Sequence, residues 1–193
     1  MNAQATTCAD LIRPTERRAA LAFDATLVIG ASLLVALAAQ ISIRLPFSPV
    51  PVTGQTLAVL AAGALLGSRR GALSLIAYLL QGLGGLPVFA SGASGWAYAL
   101  GPTGGYLIGF VAAAFVTGWL TERGWDRHVL LAALAMIAGS AAIYAFGLPW
   151  LSIYAGRHVV AVGLTPFIAG DVIKVALAAL ALPAGWKLVG RNA

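Results

Sequence analysis

The chain has little charge. Of its 193 residues, 12 are Lys or Arg and 6 are Asp or Glu, so 9% are charged, against roughly 25% in an ordinary soluble domain. A soluble globule of this size needs more polar surface than that. There is one cysteine, Cys8, which excludes a disulfide scaffold. One cysteine and two distant histidines, His128 and His158, cannot assemble a metal cluster. No G-x-x-x-x-G-K-[ST] string occurs and neither lysine follows a glycine, so nucleotide binding through a P-loop is excluded. No basic cluster exceeds three residues, which argues against a nucleic-acid surface. What the chain does have is apolar side chains. They make up 60% of it, with a mean hydropathy of +0.90. That excludes disorder and points to an integral membrane protein.

The charges are clustered, and the gaps between clusters have membrane-spanning lengths. Residues 25–43, 45–68, 71–121 and 128–156 carry no charge if His128 is neutral. A spanning helix needs about 20 mostly apolar residues. The gap 71–121 therefore accommodates two spans around a Gly- and Pro-rich loop. The expectation is an all-α protein with six transmembrane helices, near 25–43, 55–68, 70–83, 104–120, 129–147 and 162–187, the second and third being short. Residues 1–24 are expected to form a cytoplasmic tail, and 25–193 a single membrane domain with an uncleaved first helix. An even count puts both ends on one side, with Arg13, Arg17, Arg18, Arg69, Arg70, Arg123, Arg127, Lys187 and Arg191. Only Arg44 and Arg157 fall on the other side, so both termini are expected to be cytoplasmic.

Three irregular stretches interrupt the apolar runs. The first, Leu45 to Gly54, contains Pro46, Pro49 and Pro51, which forbid a helix there. Apolar but non-helical backbone is tolerated at membrane depth only against protein or a water-filled cavity. The second, Gln81 to Gly105, is rich in glycine and carries Phe89, Trp96 and Tyr98 without any charge. A structureless loop of this length suits a lid or binding loop; an interfacial aromatic belt also favours Trp and Tyr. The third, Gly147 to Pro166, reads as the last external loop. In the first span, Ser32 and Ala36 stand four apart and form a small-residue seam suited to helix contact, inside the chain or with a partner.

Asp171 and Lys174 lie near the middle of the last apolar run. Each costs about 2.5–3.5 kcal/mol at a helix centre on insertion scales. Three positions apart, they share one helical face and partly neutralise each other. An ionisable pair at this depth marks a functional site. The ammonium can hold a carboxylate, and the Asp171 carboxylate can accept N–H donors. The ligand that fits is small and mostly apolar, with an acid at one point and N–H groups at another. A buried Asp171 can also carry a proton, which suits a stand-alone or proton-coupled carrier of a small carboxylate vitamin. The string Gly92-Ala93-Ser94-Gly95 matches the G-x-S-G motif of intramembrane serine proteases. That chemistry needs a histidine within reach of Ser94, and neither His128 nor His158 has a mid-helix setting.

Four strings resemble the BioY family. They are Pro51-Val52-Thr53-Gly54-Gln55-Thr56-Leu57, Gly85-Leu86-Pro87-Val88-Phe89-Ala90, Gly101-Pro102-Thr103-Gly104-Gly105-Tyr106-Leu107-Ile108-Gly109-Phe110 and Gly170-Asp171-Val172-Ile173-Lys174. They occur in the family's order across about residues 25–190. The family comprises biotin-binding S components of energy-coupling factor (ECF) transporters in the prokaryotic cytoplasmic membrane. The resemblance implies the ECF S-component fold and a biotin site open to the outside. Asp171 and Lys174 would be its main polar contacts, to the ureido N–H groups and to a carbonyl or carboxylate oxygen. Thr53, Gln55, Phe89, Trp96, Tyr98, Gly104, Gly105 and Tyr106 are the further site candidates, with the aromatic and glycine residues of the second irregular stretch capping the ring. The implied partners are a transmembrane coupling protein and two ATPase subunits; the chain itself is implied to be no enzyme and to need no cofactor. The family's A-x-x-x-A seam is not strict here, and Ser32/Ala36 takes its place.

Overall fold

Glycine caps several helices of this protein, at Gly54, Gly67, Gly84 and Gly156. The computed structural model describes residues 7–190. A short 3-10 turn, Cys8–Ile12, leads into α1 (Arg17–Gln40). Beyond α1 the proline-rich stretch folds into a two-residue antiparallel ladder. It pairs β1 (Ser42–Ile43) with β2 (Val52–Thr53), Ser42 opposite Thr53. Then come α2 (Gln55–Leu66), α3 (Ser68–Leu83), the short α4 (Gly95–Ala99) and α5 (Gly104–Thr121). The chain closes with α6 (Val129–Ala155), α7 (Val159–Gly163) and α8 (Thr165–Gly190). Residues 17–24, expected in a tail, form the first turns of α1; residues 1–6 of that segment lie outside the described residues.

Among the described residues four helices are long and apolar enough to cross a membrane: Arg17–Gln40, Gly104–Thr121, Val129–Gly163 and Thr165–Lys187; Gln55–Leu66 is shorter. The chain is an all-helical, multi-pass membrane protein. Its centre is α5, whose most apolar stretch is 67% buried, against 22% for α1. The elbow between α2 and α3 has no loop. Gly67 turns the chain at φ 85°, and its N–H closes α2 on the Gly63 carbonyl at 2.9 Å. The elbow nests on α5 so closely that a Cβ on Gly63 would lie 2.4 Å from the Ala114 carbonyl oxygen. Backbone approach of this kind is what small residues permit between membrane helices.

Polar contacts sort the helix ends. At one end the Ser68 N–H donates to Glu122 at 2.7 Å, joining the start of α3 to the residue after α5. The Trp186 indole donates to Asp126, joining α8 to the α5–α6 connection. Arg13 and Arg70 pair with Asp24, and Arg70 also pairs with Asp10. Five of the six acids, Asp10, Glu16, Asp24, Glu122 and Asp126, belong to this charged end. The β ladder, α4, α7 and the long connections form the opposite, loop end.

The stretch Gly147 to Pro166 departs from the expected loop. Helix α6 runs through Pro149 to Ala155. A proline inside a helix removes one backbone hydrogen bond, but tertiary contact holds the helix beyond it. Trp150 lies against Gly104 and Gly105 and donates from its indole to the Gly101 carbonyl at 2.9 Å. The second irregular stretch is likewise structured, by a turn at Ala90–Gly92 and by α4.

Candidate substrate-binding site

Asp171 and Lys174 stand one turn apart on α8, each with 16% of its side chain exposed. Lys174 Nζ lies 3.6 Å from Asp171 Oδ1. It donates to the Thr53 carbonyl at 3.0 Å and to Thr56 Oγ1 at 2.6 Å. Asp171 also accepts from the Tyr144 hydroxyl of α6. The pair thus bridges α8 to the start of α2 and to α6. An ammonium has three donors, and two of them are already used on α2 and β2.

These groups line one cavity under the loop end, together with Gln55, Tyr106, Phe110, Ser140, Ile143 and Phe167. Its empty volume is about 490 Å³. Hydrogen bonds fasten its walls. Tyr106 donates to the Gly163 carbonyl at 2.8 Å, and Ser48 of the proline-rich stretch donates to the Val162 carbonyl at 2.7 Å. Gln55 is buried and donates to the Tyr78 hydroxyl at 2.5 Å, which itself donates to the Val88 carbonyl. This chain of bonds ties the floor of the cavity to the long connection after α3.

Of the ten site candidates, Thr53, Gln55, Tyr106, Asp171 and Lys174 line this cavity. Phe89 is fully buried outside it, stacked on Tyr98 with ring centroids 5.3 Å apart. Tyr98 faces a neighbouring hollow at the loop end. Burial pushes the Tyr98 hydroxyl above its ordinary pKa, opposed by a hydrogen bond with Thr103 and the charge of Arg44. Trp96 is 64% exposed. Gly104 and Gly105 are buried against Trp150 and serve the contact of α5 with α6. Ser32 is fully buried, and it accepts from Gln81 of α3 at 3.0 Å; Ala36 is also buried. The small-residue seam therefore seats α1 inside this chain, and the open face of α1 carries Leu33, Leu34 and Leu37. Ser94 precedes α4 at the loop end, whereas His128 begins α6 at the charged end and His158 lies in the turn Gly156–His158. Among the described residues no histidine bonds to Ser94, and no group of three or more His, Cys, Asp or Glu forms a metal site.

Sequence reasoning did not find Tyr144, Thr56 or Tyr78. Tyr144 precedes Asp171 by 27 positions, on another helix, and nothing local marks it. Thr56 sits inside one of the motif strings beside Gln55, and that adjacency was the available signal.

Comparison with known proteins then decides the family. A family model described as the BioY family matches residues 11–191. The chain belongs to the BioY family. A biotin transporter BioY of Rhizobium etli is 42% identical over 175 residues, covering 84% of this chain and 94% of that protein. The biotin transporter BioY of Thermotoga maritima is 42% identical over 160 residues, covering 82% and 88%. A crystal structure of the S-component for biotin from an ECF-type ABC transporter superposes with a TM-score of 0.76. It is 26% identical and covers 90% of this chain and 95% of its own.

Proposed function

We propose that this BioY-family chain is the biotin-capture subunit of an ECF transporter in a prokaryotic cytoplasmic membrane. The observation that carries this reading is the Asp171–Lys174 pair, enclosed beside a cavity under the loop end. Such a pair is costly in a membrane unless a ligand needs it. Biotin offers an apolar bicycle to Phe110, Tyr106 and Phe167, and a ureido group to the ion pair. Asp171 accepts the ureido N–H groups, and Lys174 turns from Thr53 and Thr56 toward the ureido oxygen. Thr53, Gln55 and Tyr106 complete the wall. Phe89, Trp96, Tyr98, Gly104 and Gly105 support or form the cover above it.

In this reading six helices, α1, α2, α3, α5, α6 and α8, span the membrane, the short α2 and α3 included. The charged end, with the first turns of α1, and both termini are cytoplasmic, in line with the arginine distribution. Biotin enters from the loop end, and delivery inward requires the transmembrane coupling protein and two ATPase subunits. The coupling protein meets α1, which Ser32 and Ala36 seat on α3.

Calorimetric titration of the purified protein with biotin tests the site. Tight binding is expected, with a loss of about 10- to 150-fold in Asp171→Ala and in Lys174→Ala, the worth of a hydrogen bond to a charged group. Unaltered binding in both variants refutes the site. Uptake by cells with and without the coupling proteins separates this reading from a stand-alone or proton-coupled carrier.

A further inference from the structure

The cavity around Asp171 continues past its own rim. Pro51 and Thr103 line it, and both also line a second hollow at the loop end, with an empty volume of about 710 Å³. The two spaces are therefore adjacent, with Thr103 and Pro51 at their boundary. Arg44 is the one charged side chain on the wall of the outer hollow, beside Tyr98, Ser91 and Ser48. Its place is set by the ladder, because it directly follows Ile43, which pairs with Val52.

Among the described residues no acid neutralises Arg44. The chain has six Asp and Glu residues. Five belong to the opposite end of the bundle, and the sixth, Asp171, is held by Lys174 and Tyr144 in the inner cavity. Lys174 is in turn committed to Thr53, Thr56 and Asp171. A ligand with N–H groups at one end and a carboxylate at the other thus meets two separate cationic stations. The lining of the inner cavity holds no cation besides Lys174, so a charged tail finds its partner in the outer hollow.

We infer that Arg44 is the carboxylate anchor of the site. It holds the acid end of the bound ligand in the outer hollow while Asp171 and Lys174 grip the polar head. This inference rests on the proposed biotin reading and adds how the two ends of the ligand are told apart. A guanidinium suits the task, since it offers a planar fork of donors to a carboxylate. It also makes the site selective for acids over neutral analogues with the same ring.

The test compares biotin with biotinol, its neutral alcohol-tailed analogue, on the full chain in nanodiscs. The wild-type protein should bind biotin about tenfold or more tightly than biotinol. Arg44→Gln should erase that preference while leaving biotinol affinity unchanged, and Arg44→Lys should restore part of it. Unchanged biotinol affinity also shows that the variant is folded. A preference that survives in Arg44→Gln overturns the inference and assigns Arg44 to the membrane interface. Wild-type protein that binds both ligands equally also overturns it, and in either case the biotin reading stands. Absence of biotin binding to wild-type protein overturns both.

Discussion

Lys174 Nζ is closer to Thr56 Oγ1, at 2.6 Å, than to Asp171 Oδ1, at 3.6 Å. The ion pair is therefore slack, and the ammonium is braced on α2. Bracing of this kind keeps two buried charges solvated by protein dipoles until a ligand arrives, at the cost of contacts the ligand must replace.

Thr56→Val removes the hydroxyl brace while keeping the shape of the side chain. Lys174 then swings more readily to Asp171 or to ligand. Biotin affinity should change by less than about tenfold, whereas Lys174→Ala abolishes most of it. Calorimetry on the two variants side by side measures the difference. A Thr56→Val loss as large as that of Lys174→Ala contradicts the brace.

Tyr144→Phe removes the hydroxyl that donates to Asp171. The carboxylate keeps Lys174 but loses its α6 partner and gains rotational freedom. Biotin should bind about three- to tenfold more weakly, roughly the worth of one hydrogen bond. An affinity equal to wild type would show that Tyr144 does not position Asp171.

Gly105→Ala places a Cβ 2.3 Å from Trp150 Cβ and 2.5 Å from the Phe146 carbonyl oxygen. Overpacking of this kind costs about 1–3 kcal/mol. The midpoint of thermal inactivation in detergent, at fixed scan rate, should fall, and biotin affinity well below that midpoint should hold. Lost affinity with an unchanged midpoint would instead make Gly105 a ligand contact.

Asp126 supplies a pH dependence outside the spans. Burial raises its pKa from the ordinary 3.8, opposed by the Trp186 hydrogen bond and the charge of Arg127. Its Oδ1 is buried without a hydrogen-bond partner among the described residues. The folded protein holds this proton more tightly than the unfolded chain does. Its contribution to stability is thus full below the ordinary value and is lost as pH rises through the raised one. Asp126→Asn should flatten that slope in the inactivation midpoint across the acidic range. An unchanged slope sinks the assignment.

Orientation is checked by single cysteines in a Cys8→Ser background. Phe47→Cys, at the loop end, should react with a membrane-impermeant maleimide on intact cells. His128→Cys should react only after permeabilisation. The reverse pattern inverts the proposed topology.

Most of α1, α2, α3, α5, α6 and α8 was legible as helix from charge spacing together with the glycine- and proline-rich breaks, because in a membrane every backbone group must be satisfied within its segment. Asp171 and Lys174 stood out for the same reason, since an ionisable side chain in apolar surroundings is conspicuous in one dimension. What the sequence could not carry is which faces meet. Pro149 and the glycines around it read as loop, and tertiary contacts of Trp150, Leu151 and Tyr154 hold α6 beyond the proline. Gly104 and Gly105 read as ligand-facing, and Ser32 and Ala36 as a seam of either use. Tertiary packing turned all four inward, because a small residue admits a neighbouring helix as readily as a ligand. The partners of the ion pair, Tyr144 from α6 and Thr56 from α2, come from helices distant in sequence. Their juxtaposition is a property of the folded bundle, where close packing fixes which side chains reach a buried charge.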